Sequence, residues 1–192
     1  MVVDVDSFAL QNAFEVNYET PMGETVALVN VGATVVNINC LHSRVSAFTR
    51  DISQGGHNYT EEIQKQLNVS YEEAEALKMG GLTEIDAVVP QEVERVMKEV
   101  SENIANDVQR SLDFFAATSA TANIRKIYLA GGCAHVPALS RCIEDKTGVS
   151  VGILNPFEQM DLSRVTDEQA VRAWAPAATV SVGLALRSPD DR

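Results

Sequence analysis

The sequence predicts an α/β fold in which a mixed sheet carries an inserted, mainly helical block. Three observations support this. Val26 to Val31, Val35 to Leu41 and Arg44 to Asp51 are strand-like runs joined by short turns, the pattern of a meander. From about Thr60 to Ala117 apolar residues recur three and four apart, which belongs to helices. The chain then returns to a strand, Ile127 to Ala130, which stops at Gly131-Gly132 and gives way to a helix opened by Pro137. Strand and helix alternate from there, as they do where strands run parallel.

Composition sets the outer bounds. With 192 residues the chain can bury a real core, as one domain or two small lobes. Hydrophobic residues at 45% and charged ones at 22% exclude disordered and fibrous classes. A net charge of −12 argues against DNA, RNA or anionic lipid as a direct partner, since a phosphate surface repels it. A local nucleotide site built from backbone N–H groups stays open. Cys40, Cys133 and Cys142 are odd in number and lack CxxC spacing, so they read as buried thiols of a reducing compartment. No signal-like start and no bilayer-long apolar run is present, and the expected location is the cytoplasm.

In chain order, Met1 to Val5 reads as the tail of a strand with nothing before it to pair with. Asp6 to Tyr18 reads as a helix that Asp6 can cap, with Leu10, Ala13, Phe14 and Tyr18 on one stripe. Pro21-Met22-Gly23 turns into the meander. Val26-Ala27-Leu28-Val29 is apolar throughout, which implies cover on both faces. In the next strand Val36, Ile38 and Cys40 point one way and Val35, Asn37 and Asn39 the other. Gly32-Ala33-Thr34 hinges the first pair of strands, and His42-Ser43 is the two-residue connection of the second.

Gly55-Gly56 ends the meander, and a helix from Thr60 buries Ile63 and Leu67. A second helix runs from Ser70 to Met79, opened by a Ser70–Glu73 capping box and closed by Gly80-Gly81. Pro90 starts a long helix to about Ala117. Its Val93, Val96, Met97, Val100, Ile104, Val108, Leu112 and Phe115 form one core face, Met97 included. After Gly131-Gly132 come a helix from Pro137 to Thr147, a strand from Ser150 to Leu154 and a loop through Asn155-Pro156-Phe157. A turn around Trp174 leads to a last helix from Pro176 to Ala185, and Ser188 to Arg192 is a polar tail. A meander whose sheet resumes after a helical insertion is the ribonuclease-H-like layout.

Four stretches in order add a family. Val3 to Leu10 with Ala13-Phe14-Glu15 resembles an interdomain helix, and Asn30-Val31-Gly32-Ala33-Thr34 a second phosphate loop, of actin-like ATPases. Phe48 to Ile52 with Gly55-Gly56, Thr60 and Glu72 to Lys78 resembles a segment shared by PilM and FtsA proteins, and the Gly131-Gly132 stretch resembles the adenosine motif. Ala185-Leu186-Arg187 resembles the usual end of PilM proteins, the type IV pilus assembly family that the chain is most similar to. The resemblance covers nearly the whole chain and implies an actin-like second half. Its parts are a connecting helix over 1–20, a subdomain over 21–54 and 121–192, and an inserted helical subdomain over 55–120. The family's first half carries the first phosphate loop, a metal-holding acid and, in PilM, the subdomain gripping the cytoplasmic tail of PilN. It has no counterpart in this sequence. The orphan strand at Val2 fits a cut at a domain junction, which predicts uncovered apolar surface and self-association of the piece.

Carried over residue by residue, the resemblance places Gly32, Ala33 and Thr34 under nucleotide phosphates, where small residues let N–H groups approach oxygen. Read by themselves they are a hinge between strands. Gly56 would lie by the ribose, or is a helix-start glycine. Glu75 and Lys78 share a helix face and would meet the ribose hydroxyls and the base edge, or form a solvated charge pair. Gly131 and Gly132 would let adenine and ribose lie on bare backbone, or make a generic turn; the N–H groups of the helix after them face the same space and favour an anion. Cys133, His135, His42 and His57 have no second ligand at metal spacing and read as packing or turn residues.

The implied cofactor is ATP with Mg²⁺. Turnover is not implied, because Asn30 stands where the wider family has an acid and Val36 where it has threonine. An amide brings no negative charge to a metal, and a valine cannot hydrogen-bond a phosphate oxygen. No catalytic or metal-ligating residue is assigned. The implied role is a scaffold and not an enzyme, held at the inner face of the bacterial inner membrane by its partners. These are PilN, PilO indirectly, the pilus motor ATPase and the platform protein. Two alternatives share the superfold. An FtsA-like division protein carries an amphipathic membrane helix at its end, and Ser188 to Arg192 offers none. A sugar or acetate kinase needs a general base, and no acidic residue here can be placed as one.

Overall fold

The computed structural model describes residues 4–80 and 89–187. Thr25–Val31 (β1) is buried at all seven positions, as a run apolar on both faces requires. Val36–His42 (β2) and Val45–Ile52 (β3) fold back from it as an antiparallel meander. Ile124–Ala130 (β4) pairs with β1 in parallel, and Val151–Ile153 (β5) pairs with β4 in parallel. The result is one mixed sheet of order β3-β2-β1-β4-β5. The β2–β3 turn is one residue later than expected: His42 still pairs with Val45, and Ser43 and Arg44 make the turn at φ 50 and 68. Two-residue hairpins need left-handed backbone at both central residues to match strand twist. Ser43 is held there by its N–H on Glu24 O (3.0 Å) and its hydroxyl under Gly23 N–H (2.9 Å).

One face of the sheet carries the larger core. Ala27, Val29, Val31, Val36, Ile38, Cys40, Ile127 and Leu129 pack against Gly56–Leu67 (α2), Tyr71–Lys78 (α3), Val89–Thr118 (α4) and Pro137–Thr147 (α5). Every residue of the stripe expected on α4, from Val93 to Phe115, is buried. The Ser70–Glu73 capping box forms in both directions, at 3.2 and 2.8 Å, and Gly80 follows α3 at φ +76. α2 starts four residues earlier than expected, at Gly56.

Asp6–Asn17 (α1) covers the other face, where Leu10 and Phe14 meet Val26, Leu28, Leu41, Ala130 and Leu154. Its cap is Val5 and not Asp6, which sits in the first turn with no side-chain cap bond formed. The C-terminal segment also differs. Trp174 ends a helix, Glu168–Trp174 (α6), rather than a turn. Pro176 lies in a 3-10 turn, Ala175–Ala178, so the last helix is Thr179–Ala185 (α7). The Pro176 carbonyl closes that turn with Thr179 N–H and also accepts from Gly131 N–H (2.8 Å) and the Thr179 hydroxyl (2.8 Å). α7 crosses α1 at Gly183, where a Cβ would lie 1.7 Å from Ala9 O. The expected strand tail at Met1 to Val3, Gly81 and the tail from Ser188 lie outside the described residues.

Candidate functional site

β1 and β4 run parallel and end side by side, and the carboxyl ends of such strands are where α/β sheets hold ligands. Gly32-Ala33-Thr34 leaves β1 there, closed on itself by Gly32 N–H to Val35 O (3.0 Å). The start of α2 docks on this loop: Gly56 N–H donates to Gly32 O (2.9 Å) and His57 N–H to Ala33 O (2.8 Å). The approach is close enough that a Cβ on Gly55 would lie 2.6 Å from both carbonyl oxygens. The first N–H groups of α2 are therefore spent on the loop.

Gly131 and Gly132 leave β4 beside it. Gly131 has φ +91, and a Cβ there would lie 2.3 Å from Val31 O, so two needs meet in one residue. Gly132 is its opposite: it is exposed, and nothing lies within 4 Å of where its Cβ would be. The segment after the glycines is a compact turn. Cys133 N–H bonds Val31 O (3.2 Å), Ala134 N–H bonds Gly131 O (3.1 Å), and Val136 N–H bonds Cys133 O (3.0 Å). α5 begins only after that turn, which corrects the expectation that helix N–H groups face the glycine pair directly. The N–H groups of Ala33, Thr34 and Gly132 have no hydrogen bond among the described residues. Cys133 is buried, its Sγ 3.7 Å from Gly32 O, and burial pushes its thiol up.

Glu75 and Lys78 are brought to this cluster by the capped helix α3. Lys78 Nζ donates to Glu75 Oε2 (2.6 Å), Thr60 Oγ1 (3.0 Å) and Gly56 O (3.4 Å), and Thr60 Oγ1 also donates to Glu75 Oε2 (2.7 Å). Burial pushes the Glu75 carboxyl up, but the hydrogen bonds from Lys78 and Thr60 outweigh it and hold it below its ordinary value. The pair is thus an internal strut between α3 and α2, with the Lys78 side chain 12% exposed. The eight residues singled out by sequence form one linked group, from Gly131 through the Gly32-Ala33-Thr34 loop and Gly56 to Lys78. Thr60 and Gly55, named in the family-like segment but not as site residues, and the Pro176 carbonyl complete it. Thr60 carried a signal, since it faces the α3 pair from one helical turn inside α2; the role of Pro176 comes from a contact 45 residues away along the chain.

Beneath the loop, Asn30 Nδ2 donates to Asn37 Oδ1 (2.9 Å) and Asn37 Nδ2 to Asp51 Oδ1 (2.8 Å), a chain across three strands. Val36 is fully buried in the core. Among the described residues no group of three or more His, Cys, Asp or Glu could hold a metal ion. No helix of these residues is long and apolar enough to cross a membrane.

Comparison with known proteins places this geometry. A solved PilM–PilN type IV pilus biogenesis complex shares the fold, with TM-score 0.81 and 24% identity over 97% of this chain and 52% of that one. The ethanolamine utilization protein EutJ of Carboxydothermus hydrogenoformans follows at TM-score 0.65 and 19% identity, covering 95% of this chain and 53% of that chain. MreB 5 of Spiroplasma citri, solved with AMPPNP bound, gives 0.61 and 14% over 94% and 56%. The chain spans about half the length of these solved relatives. The family model described as type IV pilus assembly protein PilM matches residues 1–189. With an actin-like sheet and that match in hand, the chain belongs to the PilM family of type IV pilus assembly proteins.

Proposed function

We propose that this chain is the nucleotide-binding half of a cytoplasmic scaffold that links inner-membrane PilN and PilO to the pilus motor. The observation that carries the reading is the seam at the ends of β1 and β4. There the N–H groups of Ala33, Thr34 and Gly132 have no hydrogen bond among the described residues and stand beside an open glycine surface. Unpaired N–H groups suit phosphate oxygens, and bare backbone at Gly132 suits a flat base and ribose. Residues 55–120 act as the inserted subdomain, and the bonds from Gly56 and His57 to the loop are what a nucleotide would tighten or loosen. In the solved relatives the AMPPNP complex belongs to an MreB and the PilN complex to a PilM. Both features come to this chain as part of the proposal.

The donors fit a nucleotide better than they fit its metal. Asn30 gives its amide N–H to Asn37 and, being neutral, brings no negative charge to Mg²⁺, and Val36 is sealed in the core and offers a phosphate oxygen no donor. Binding without turnover by this chain is the expected chemistry, with PilN contacts made largely by the half of the family's fold that this sequence does not include. The test is calorimetric titration of MgATP into the chain and into Gly132→Val. A Cβ at Gly132 meets no neighbour, so the variant keeps the fold and blocks only the base surface. Saturable binding lost in the variant supports the site; equal heats in both remove it. Repeating the titration with the family's first half joined on separates an abandoned site from one that needs both halves.

A further inference from the structure

Among the described residues β3 is an edge strand with a neighbour on one side only, and the hydrogen bonds of residues 45–52 go to β2 and to their own turn. Edge strands present a row of outward N–H and C=O groups that can pair with another strand. Phe48, Arg50 and Ile52 point to the α4 side of the sheet, because their partners Cys40, Ile38 and Val36 lie in the core under α4. The outer face of α4 runs beside this edge. Phe114 is 56% exposed there, its ring 6.1 Å from that of Phe48, which stacks on Phe115 at 5.6 Å. Further along, Gln54, Asn103, Asn106, Asp107, Gln109 and Arg110 line a cleft of about 450 Å³. Side-chain amides are both donors and acceptors, so four of them in one cleft suit a peptide backbone.

The charges select the occupant. Asp107 is taken by Gln54 Nε2 (2.7 Å) and by Arg110, and Asp51 accepts from Asn37 on the opposite face. Arg50 is exposed and has no hydrogen bond or ion pair among the described residues. A second copy of this chain, adding its β3 antiparallel to this one, would bring a second Arg50 to the same seam, like charge beside like charge. A partner segment with an acidic side chain complements it instead.

We propose that the free edge of β3 and the outer face of α4 form a groove that takes an extended peptide of a partner protein as a sixth strand. The peptide runs antiparallel to β3, with an acidic side chain at Arg50 and, two residues later, an apolar one against Phe48 and Phe114. Strand addition of this kind draws affinity from main-chain bonds and specificity from alternate side chains. It is independent of the nucleotide site.

The probe is a labelled ten-residue peptide of serine and threonine carrying one aspartate two positions before one leucine. A control peptide has lysine in place of aspartate. Fluorescence anisotropy gives affinity, and hydrogen exchange of the whole chain maps the contact. The expected result is saturable binding of the aspartate peptide with slowed exchange confined to residues 45–52. Arg50→Glu should weaken it about tenfold or more, a difference of about 1.4 kcal/mol, and favour the lysine peptide. Arg50→Gln, checked for fold by circular dichroism, should fall between. No saturable binding, protection elsewhere, or equal affinity for Arg50→Glu overturns the proposal. So does protection of 45–52 without peptide in a chain whose mass is that of a dimer, which assigns the edge to a second copy.

Discussion

Gly131 and Gly132 are adjacent and ask opposite things of the backbone. Gly131→Ala adds strain at φ +91 and a contact of 2.3 Å with Val31 O, so it should cost about 2–4 kcal/mol in urea unfolding. Gly132→Ala should stay within about 1 kcal/mol of the parent by the same measurement, the backbone there being unstrained and the space open. At Asp4 the hydrogen bonds of the Arg187 guanidinium, 2.6 and 3.1 Å long, hold the carboxyl below its ordinary value. A lowered folded-state pKa stabilises above the unfolded value of about 4 and loses that contribution as pH falls through it. Asp4→Asn should therefore lower stability by about 1–3 kcal/mol at neutral pH and flatten its fall between about pH 5 and 2. A variant with the parent's acid slope would show that Asp4 does not contribute it. The sequence marked the glycine pair as special but not which of the two is strained, because φ depends on where Val31 lies and Val31 is 100 residues away.

Helices tie the site to the rest. α3 is joined to α2 by Thr60, Glu75 and Lys78, and α2 to the Gly32-Ala33-Thr34 loop by Gly56 and His57. Lys78→Met removes the ammonium from Glu75, Thr60 and the Gly56 carbonyl together. Hydrogen exchange should then quicken over Tyr71–Lys78 and the first turn of α2, with α4 unchanged; exchange altered nowhere in α2 would mean that the strut does not transmit. The capping box of Ser70 and Glu73 was legible, since it is a local pattern, and so was the stripe on α4. The boundary at Glu168–Trp174 was not, because a seven-residue helix with no buried residue leaves no apolar period. On the far side, Gly183→Ala should detach α7 from α1 and cost about 3 kcal/mol or more, its Cβ falling inside the Ala9 carbonyl.

At the scale of the molecule, one core cluster reaches from α2, α3 and α4 through the sheet to α5. Sheet and helical block should accordingly unfold in a single transition by circular dichroism, with hydrogen exchange giving the same free energy for core amides of β1 and α4. Two separated transitions would make 55–120 an independent unit. Val5 capping α1, Phe8 on it, and Leu184 and Leu186 at α7 are exposed large apolar residues on the opposite face. We propose that this side meets the half of the family's fold that the sequence does not include. Light scattering should then find this chain associating at concentrations where a version with both halves is monomeric. Equal masses would remove that idea.

By itself the sequence determined the element order as far as β5, the apolar faces of β1 and α4, the Ser70 cap and, through four motifs in series, the PilM family. These are local or periodic properties, written within a few residues of where they act. Tertiary structure alone decided that Gly131 and not Gly132 is constrained, that the Glu75–Lys78 pair closes on Thr60 of α2, and that among the described residues β3 keeps a free edge beside Phe114 and Arg50. Each of these depends on contacts between segments far apart in the chain, whose distances only the packed sheet and helices fix.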